Sequence, residues 1–213
     1  MKRRAFIVGV LAVGGCGLSE RPYAEKRQWP LSIGRGAAAP PRANGRMLLV
    51  RDLQAAPGLE ARGLQTLQPD GSVRTNFYEE WAVPPAEGVG SSLRQWLAES
   101  GLFAAVVAPG SRLVADLVLE GTLTALLADA PKRVGRVTLA VVLIDGRPGA
   151  ARILMQRRFT AERPLDPAAD PPVVASVLRA CLRDVLEQIE TAVARYAGPV
   201  ASGSRHGRLA RGG

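Results

Sequence analysis

The stretch Tyr78 to Val107, YEEWAVPPAEGVGSSLRQWLAESGLFAAVV, decides the fold. Tyr78 and Trp81 close an extended run. Pro84-Pro85 forbids its continuation, because proline brings no ladder N–H. Val89, Leu93, Trp96 and Leu97 then recur at helical spacing, so one stripe faces a core. Gly101 suits the left-handed position after the last turn, and Phe103 to Val107 returns as a buried strand.

Before this block, Met47 to Val50 reads as a short buried strand. Leu64 to Gln68 and Val73 to Glu80 flank Pro69-Asp70-Gly71-Ser72, a turn signal that makes them a hairpin. After it, three strands form an antiparallel meander. In the first, Leu117, Leu119, Leu123, Ala125 and Leu127 alternate with Val118, Glu120, Thr122 and Thr124. Val137, Leu139, Val141 and Leu143 repeat the pattern in the second. Ile153, Met155 and Phe159 line the third, opposite Arg152, Gln156 and Arg158. A proline-rich break at 166–172 precedes the strongest helix. There Val174, Val177, Leu178, Cys181, Leu182, Val185, Leu186, Ile189, Val193 and Tyr196 form one apolar stripe. The expected fold is α+β, a mostly antiparallel sheet with two helices (roughly 86–100 and 172–197) packed on one face.

The ends of the chain have a different character. Lys2-Arg3-Arg4 precedes the apolar run Ala5 to Val13. That run is about half the roughly 20 residues a membrane-spanning helix needs, so it reads as an export signal. Val13-Gly14-Gly15-Cys16 has the form of a bacterial lipobox, in which the cysteine thiolate attacks a lipid donor and becomes an acylated N-terminus. Cys16 is therefore the expected lipidation site, and a disulfide to Cys181 is disfavoured. Acyl chains such as palmitate contribute on the order of 0.8 kcal/mol per buried methylene, and two chains anchor stably. Gly17-Leu18, with no aspartate after the cysteine, resembles the pattern of lipoproteins sorted to the outer membrane, which implies an outer-membrane site facing the periplasm. The divisions read from sequence are a signal peptide at 1–15, a lipidated N-terminus and flexible tether at 16–45, a domain at 46–198 and a disordered tail at 199–213. Within the tether, Gln28 to Ile33 is a candidate edge strand.

The formal charge of +9 on 213 residues invites a nucleic-acid reading. However, Lys2, Arg3 and Arg4 lie in the leader, and Arg205, Arg208 and Arg211 in the tail, leaving 9 − 3 − 3 = 3 on the rest. With no dense basic run, nucleic acid is a poor partner. The single histidine, His206, falls in the tail, so no Ser-His-Asp or Cys-His site has a base. No Cys/His cluster has zinc spacing, and no glycine-rich loop has the phosphate-binding pattern. Neither catalysis nor a cofactor nor a metal is expected. Glu79 and Glu80 are neighbours on a strand and point to opposite faces.

The order aromatic-Glu-Glu-Trp-Ala, proline stop, helix with Leu93-x-x-Trp96-Leu97, then Ser100-Gly101-Leu102-Phe103 into a strand resembles the ABC-type transport auxiliary lipoproteins. The likeness runs from about Arg46 to Tyr196. It implies a non-catalytic envelope lipoprotein that partners an MCE-domain periplasmic protein with its ABC permease and ATPase, moving phospholipid between membranes. The alternatives are a structural outer-membrane assembly lipoprotein and a lipid-carrying module. Trp29, Trp81, Glu79 and Glu80 are the candidate partner-surface residues, tryptophan being favoured at such sites. For Trp81, burial in the core is the competing reading.

Overall fold

The computed structural model describes residues 25–149 and 152–198. The leader, Cys16 and the tail lie outside the described residues. In chain order the elements are β1 (Arg27–Trp29), β2 (Met47–Val50), β3 (Gln54–Ala55), β4 (Gly63–Leu67), β5 (Val73–Trp81), α1 (Pro85–Glu99), β6 (Ala105–Val107), β7 (Leu117–Asp129), β8 (Val134–Asp145), β9 (Arg152–Pro164) and α2 (Pro171–Ala194). The fold is α+β, and its strands form one open nine-stranded mixed sheet.

The backbone of the sheet is the antiparallel meander β7–β8–β9, joined residue by residue over its length. The β4–β5 hairpin supplies the other antiparallel ladder, turning at Asp70-Gly71. The free edge of β7 receives three short strands in succession, all parallel to it: β2 beside Leu117–Leu119, β3 beside Thr122–Leu123 and β4 beside Leu127–Asp129. Antiparallel pairing thus dominates by length, and parallel pairing supplies the short additions at the edges.

Register fixes which face is buried. Leu119 sits opposite Leu143, Leu123 opposite Leu139 and Leu139 opposite Phe159, and all five are nearly or fully inaccessible. Directly paired residues share a face, so this face carries the core. Both helices cover it. Helix α1 packs over β6 and β7, α2 over β8 and β9, and the helices touch each other. The opposite face holds Val118, Glu120, Thr122, Ala140, Val142 and Ile144, all half-buried.

Each helix begins at a proline, Pro85 and Pro171, where the missing N–H is one that no helical carbonyl would have accepted. Val89, Leu93, Trp96 and Leu97 on α1 are all buried, as are Leu178, Cys181, Leu182, Val185, Leu186, Ile189 and Val193 on α2. After α1, Gly101 takes a φ of +69°. A Cβ there would stand 2.7 Å from the Ala39 Cβ and 2.9 Å from the Pro40 carbonyl oxygen, so both conformation and space demand glycine.

Three features depart from the alternation read in the sequence. A bulge at Thr124 shifts the β7 register, so Leu126 joins the main core cluster opposite Val137, while Ala125 and Leu127 are buried outside that cluster. An extra residue on one strand reverses every later side chain. A second irregularity pairs Leu143 with Met155 but Ile144 with Ile153, and Ile153 consequently faces out, 61% exposed. Finally, the folded body starts well before Arg46. Strand β1 pairs parallel with β5, and Leu31 and Ile33 are core residues.

Candidate functional site

The residues singled out in the sequence meet at the β1–β5 edge. Parallel pairing sets Arg27 beside Glu79, Gln28 beside Glu80 and Trp29 beside Trp81. On one face, Glu79 accepts from the Arg27 Nε at 2.7 Å and from the Trp29 indole N–H at 2.9 Å. On the other, Glu80 accepts from the Gln28 amide at 2.9 Å, forms an ion pair with Arg62 and lies 3.8 Å from the Lys26 ammonium. The amide of Gln28 and the guanidinium of Arg62 hold the Glu80 carboxyl below its usual range. Neighbouring carboxylates that diverge cannot share a proton, but they can grip one strand from both faces. That is what they do with β1.

Trp81 is fully buried in the core, and Glu79 and Glu80 are buried at 6% and 8% exposure. These three are therefore internal supports. A partner-surface role for Glu79 and Glu80 is corrected by their burial and by the in-chain groups that already occupy them, and Trp81 takes the core position read as its alternative. Trp29 is half-buried, with its indole N–H committed to Glu79.

From β1 the chain continues as a strap across α1. The Ser92 hydroxyl accepts from the Ile33 N–H at 3.1 Å and donates to the Leu31 carbonyl at 2.8 Å. Gly88 gives the strap room, since a Cβ there would lie 3.0 Å from the Leu31 Cβ. The strap then reaches both helices. Glu99 accepts from the Arg35 N–H, and its carbonyl accepts from the Ala39 N–H at 2.8 Å. The Arg35 guanidinium donates to both oxygens of Glu190 on α2, at 3.0 and 3.1 Å, and the Trp96 indole donates to the same carboxylate at 2.7 Å. A two-pronged guanidinium–carboxylate contact is among the stronger polar links available. Strap, α1 and α2 therefore converge on Glu190.

The sequence reading missed Ser92, Arg35 and Glu190. Its one available signal was the alternation Trp29, Leu31, Ile33, which marks the strap as packed rather than free.

Cys181 is a fully buried free thiol, donating to the Gly135 carbonyl at 3.2 Å. Burial pushes its pKa up to about 11, so it is a packing residue with little thiolate at neutral pH. Among the described residues, no group of three or more His, Cys, Asp or Glu is placed to hold a metal ion. Likewise, no helix among them is long and apolar enough to cross a membrane.

The family model described as ABC-type transport auxiliary lipoprotein component matches residues 31–190, from the strap to α2. Among solved structures, the chain is similar to a Xanthomonas campestris protein at 21% identity and a TM-score of 0.65, covering 77% of this chain and 93% of that one. It is also similar to a second, uncharacterized protein at 18% identity and a TM-score of 0.60, covering 81% and 98%. At such identities the likeness is one of fold. No curated protein matches the chain.

Proposed function

The chain belongs to the ABC-type transport auxiliary lipoprotein family, and on that premise we propose that it is a non-catalytic docking subunit of an MCE/ABC-type system carrying phospholipid between the envelope membranes. It is held to the outer membrane through acylated Cys16 and faces the periplasm. The observation that carries this reading is the fixing of the N-terminal segment. Strand β1 is gripped from both faces by Glu79 and Glu80, and the strap is tied through Ser92 and Glu190. An anchor placed upstream of such a segment holds the body by a defined corner. A subunit whose work is positional needs that, whereas a free tether would let it tumble. The space between helices and sheet is filled by side chains such as Leu93, Leu123, Leu139 and Leu182, which weighs against an acyl chain carried inside.

The anchoring is tested by Cys16→Ala, which is expected to leave the body folded and remove it from the outer-membrane fraction. Fractionation unchanged from the parent refutes it. Co-purification from solubilised envelopes tests the partnership. Recovery of an ATPase, a permease and an MCE-domain protein supports the proposal, and their absence from an otherwise intact preparation counts against it.

A further inference from the structure

Strand β5 carries three large apolar side chains in solvent, Val73, Phe77 and Tyr78, exposed by 51%, 68% and 48%. Successive residues of a strand normally project to opposite faces. Here the Asn76 side-chain oxygen accepts from the backbone N–H of Tyr78 at 3.0 Å and of Glu79 at 3.1 Å. The Phe77 and Tyr78 rings meet edge to face, their centroids 5.2 Å apart. The Lys26 ammonium lies 4.1 Å from the centre of the Phe77 ring. Two aromatic rings and a cation thus form one exposed cluster at the edge of the sheet, beside the start of β1.

The place of this cluster along the chain is informative. Lys26 follows Glu25, and Cys16 lies nine positions before Glu25. At full extension the ten positions from Cys16 to Lys26 span no more than about 36 Å, so an anchor at Cys16 keeps the start of β1, and with it the cluster, within a few tens of ångströms of the bilayer. The other large apolar residues exposed among the described residues are Leu113 and Val114 ahead of β7, Ile153 on β9 and Val173 in the first turn of α2. Ile153 lies in register with Ile144 and Val118 near the start of β7, whereas β4 brings the β5 edge to the end of β7.

We propose that Phe77, Tyr78 and Lys26 form a membrane-contacting patch that rests in the headgroup layer of the bilayer holding Cys16, and so sets the orientation of the body on that membrane. The proposal rests on the anchoring reading above. Aromatic side chains favour the boundary between headgroup and hydrocarbon, and the Lys26 ammonium, 43% exposed beside its 3.8 Å contact with Glu80, can also face anionic lipid phosphates. The affinity required is small. A short covalent link confines the patch to an effective concentration in the millimolar range, so a contact too weak to recruit a free protein is filled once the anchor is in place. The acyl chains supply attachment, and the patch supplies direction.

The test uses the full acylated chain carrying Phe77→Trp, reconstituted in vesicles of phosphatidylcholine with one part in about four of phosphatidylglycerol, an anionic lipid. The phosphatidylcholine is brominated near the carbonyl end of its chains. Intact mass of the same sample reports acylation. The emission added by Phe77→Trp over the parental protein is expected to fall about two-fold or more, as for a ring at the headgroup–acyl boundary. Tyr78→Trp serves as the second variant and should do the same. Acylated protein whose added emission is not quenched overturns the proposal alone. So does a concentration-dependent blue shift in detergent, which would assign the patch to a second copy of the chain. An unmodified Cys16 overturns the anchoring reading and this proposal with it.

Discussion

Replacing Ser92 by alanine should free the strap while leaving the rest of the body folded. The hydroxyl is 2% exposed and serves two backbone groups, the Ile33 N–H at 3.1 Å and the Leu31 carbonyl at 2.8 Å. Removing it strands both. A buried polar group left unpaired costs about 1–3 kcal/mol, and water can reach one of the two once the strap shifts. A net loss of about 2 kcal/mol is therefore expected, close to a 30-fold rise in opening at about 1.4 kcal/mol per tenfold. That is well short of the roughly 5–15 kcal/mol that holds a whole domain, so the opening is local. Hydrogen exchange reads it directly. The useful reporters are the Arg35 and Ala39 amides, which keep their own acceptors on Glu99 in the variant. Both should exchange about 30-fold faster, while amides in the middle of α2 stay at the parental rate. If Ile33 alone speeds up and Arg35 and Ala39 do not, the strap is not held through Ser92 and the reasoning fails.

Leu182→Asp would bury a charge in the apolar core with Leu178, Val185 and Leu186 and should abolish the cooperative thermal transition. A sharp transition near the parental temperature would mean that the buried stripe of α2 has been misread. Acid should weaken the fold in a definite window. The Arg147 guanidinium holds the Asp145 carboxyl at about 2, below its ordinary value. A depressed acid stabilises the folded state above its unfolded pKa and loses that contribution as pH falls through the folded one. Stability should thus decline between about pH 4 and about pH 2, and Asp145→Asn should flatten that decline. Thermal melts of both proteins across the range decide it, and parallel curves would refute the assignment.

The parts of the fold legible in the sequence were those with a local period. The stripes of α1 and α2, the turn at Asp70-Gly71 and the meander all repeat within a few residues, and the structure follows them. What escaped depended on partners far along the chain. β1 pairs with a strand some fifty residues later, and Ser92 meets the strap across a similar gap. Pro22, Pro30, Pro40 and Pro41, set among Gly, Ala and Arg, read as a flexible tether. Leu31 and Ile33 nevertheless pack, because the strap is held by side chains rather than by a ladder. The bulge at Thr124 left no compositional trace. Its residue type suits a strand, and only the partner strand shows that one position is unmatched. Of the candidate residues, Glu79, Glu80, Trp29 and Trp81 were seen to matter, but their work is internal, since a single strand cannot reveal what lies alongside it.

The sharing of one β7 edge by β2, β3 and β4 constrains the order in which the protein can assemble. All three precede β7 in the chain, and β6 in turn leans on β2. Until Leu117–Asp129 is available, the N-terminal half can complete only the β4–β5 hairpin with β1 along its side and the short β2–β6 pair. Assembly dominated by such distant pairings is slow. A chain threaded through a narrow pore would therefore stay largely unpaired until more than half of it had passed, and then close around its seventh strand in one late step.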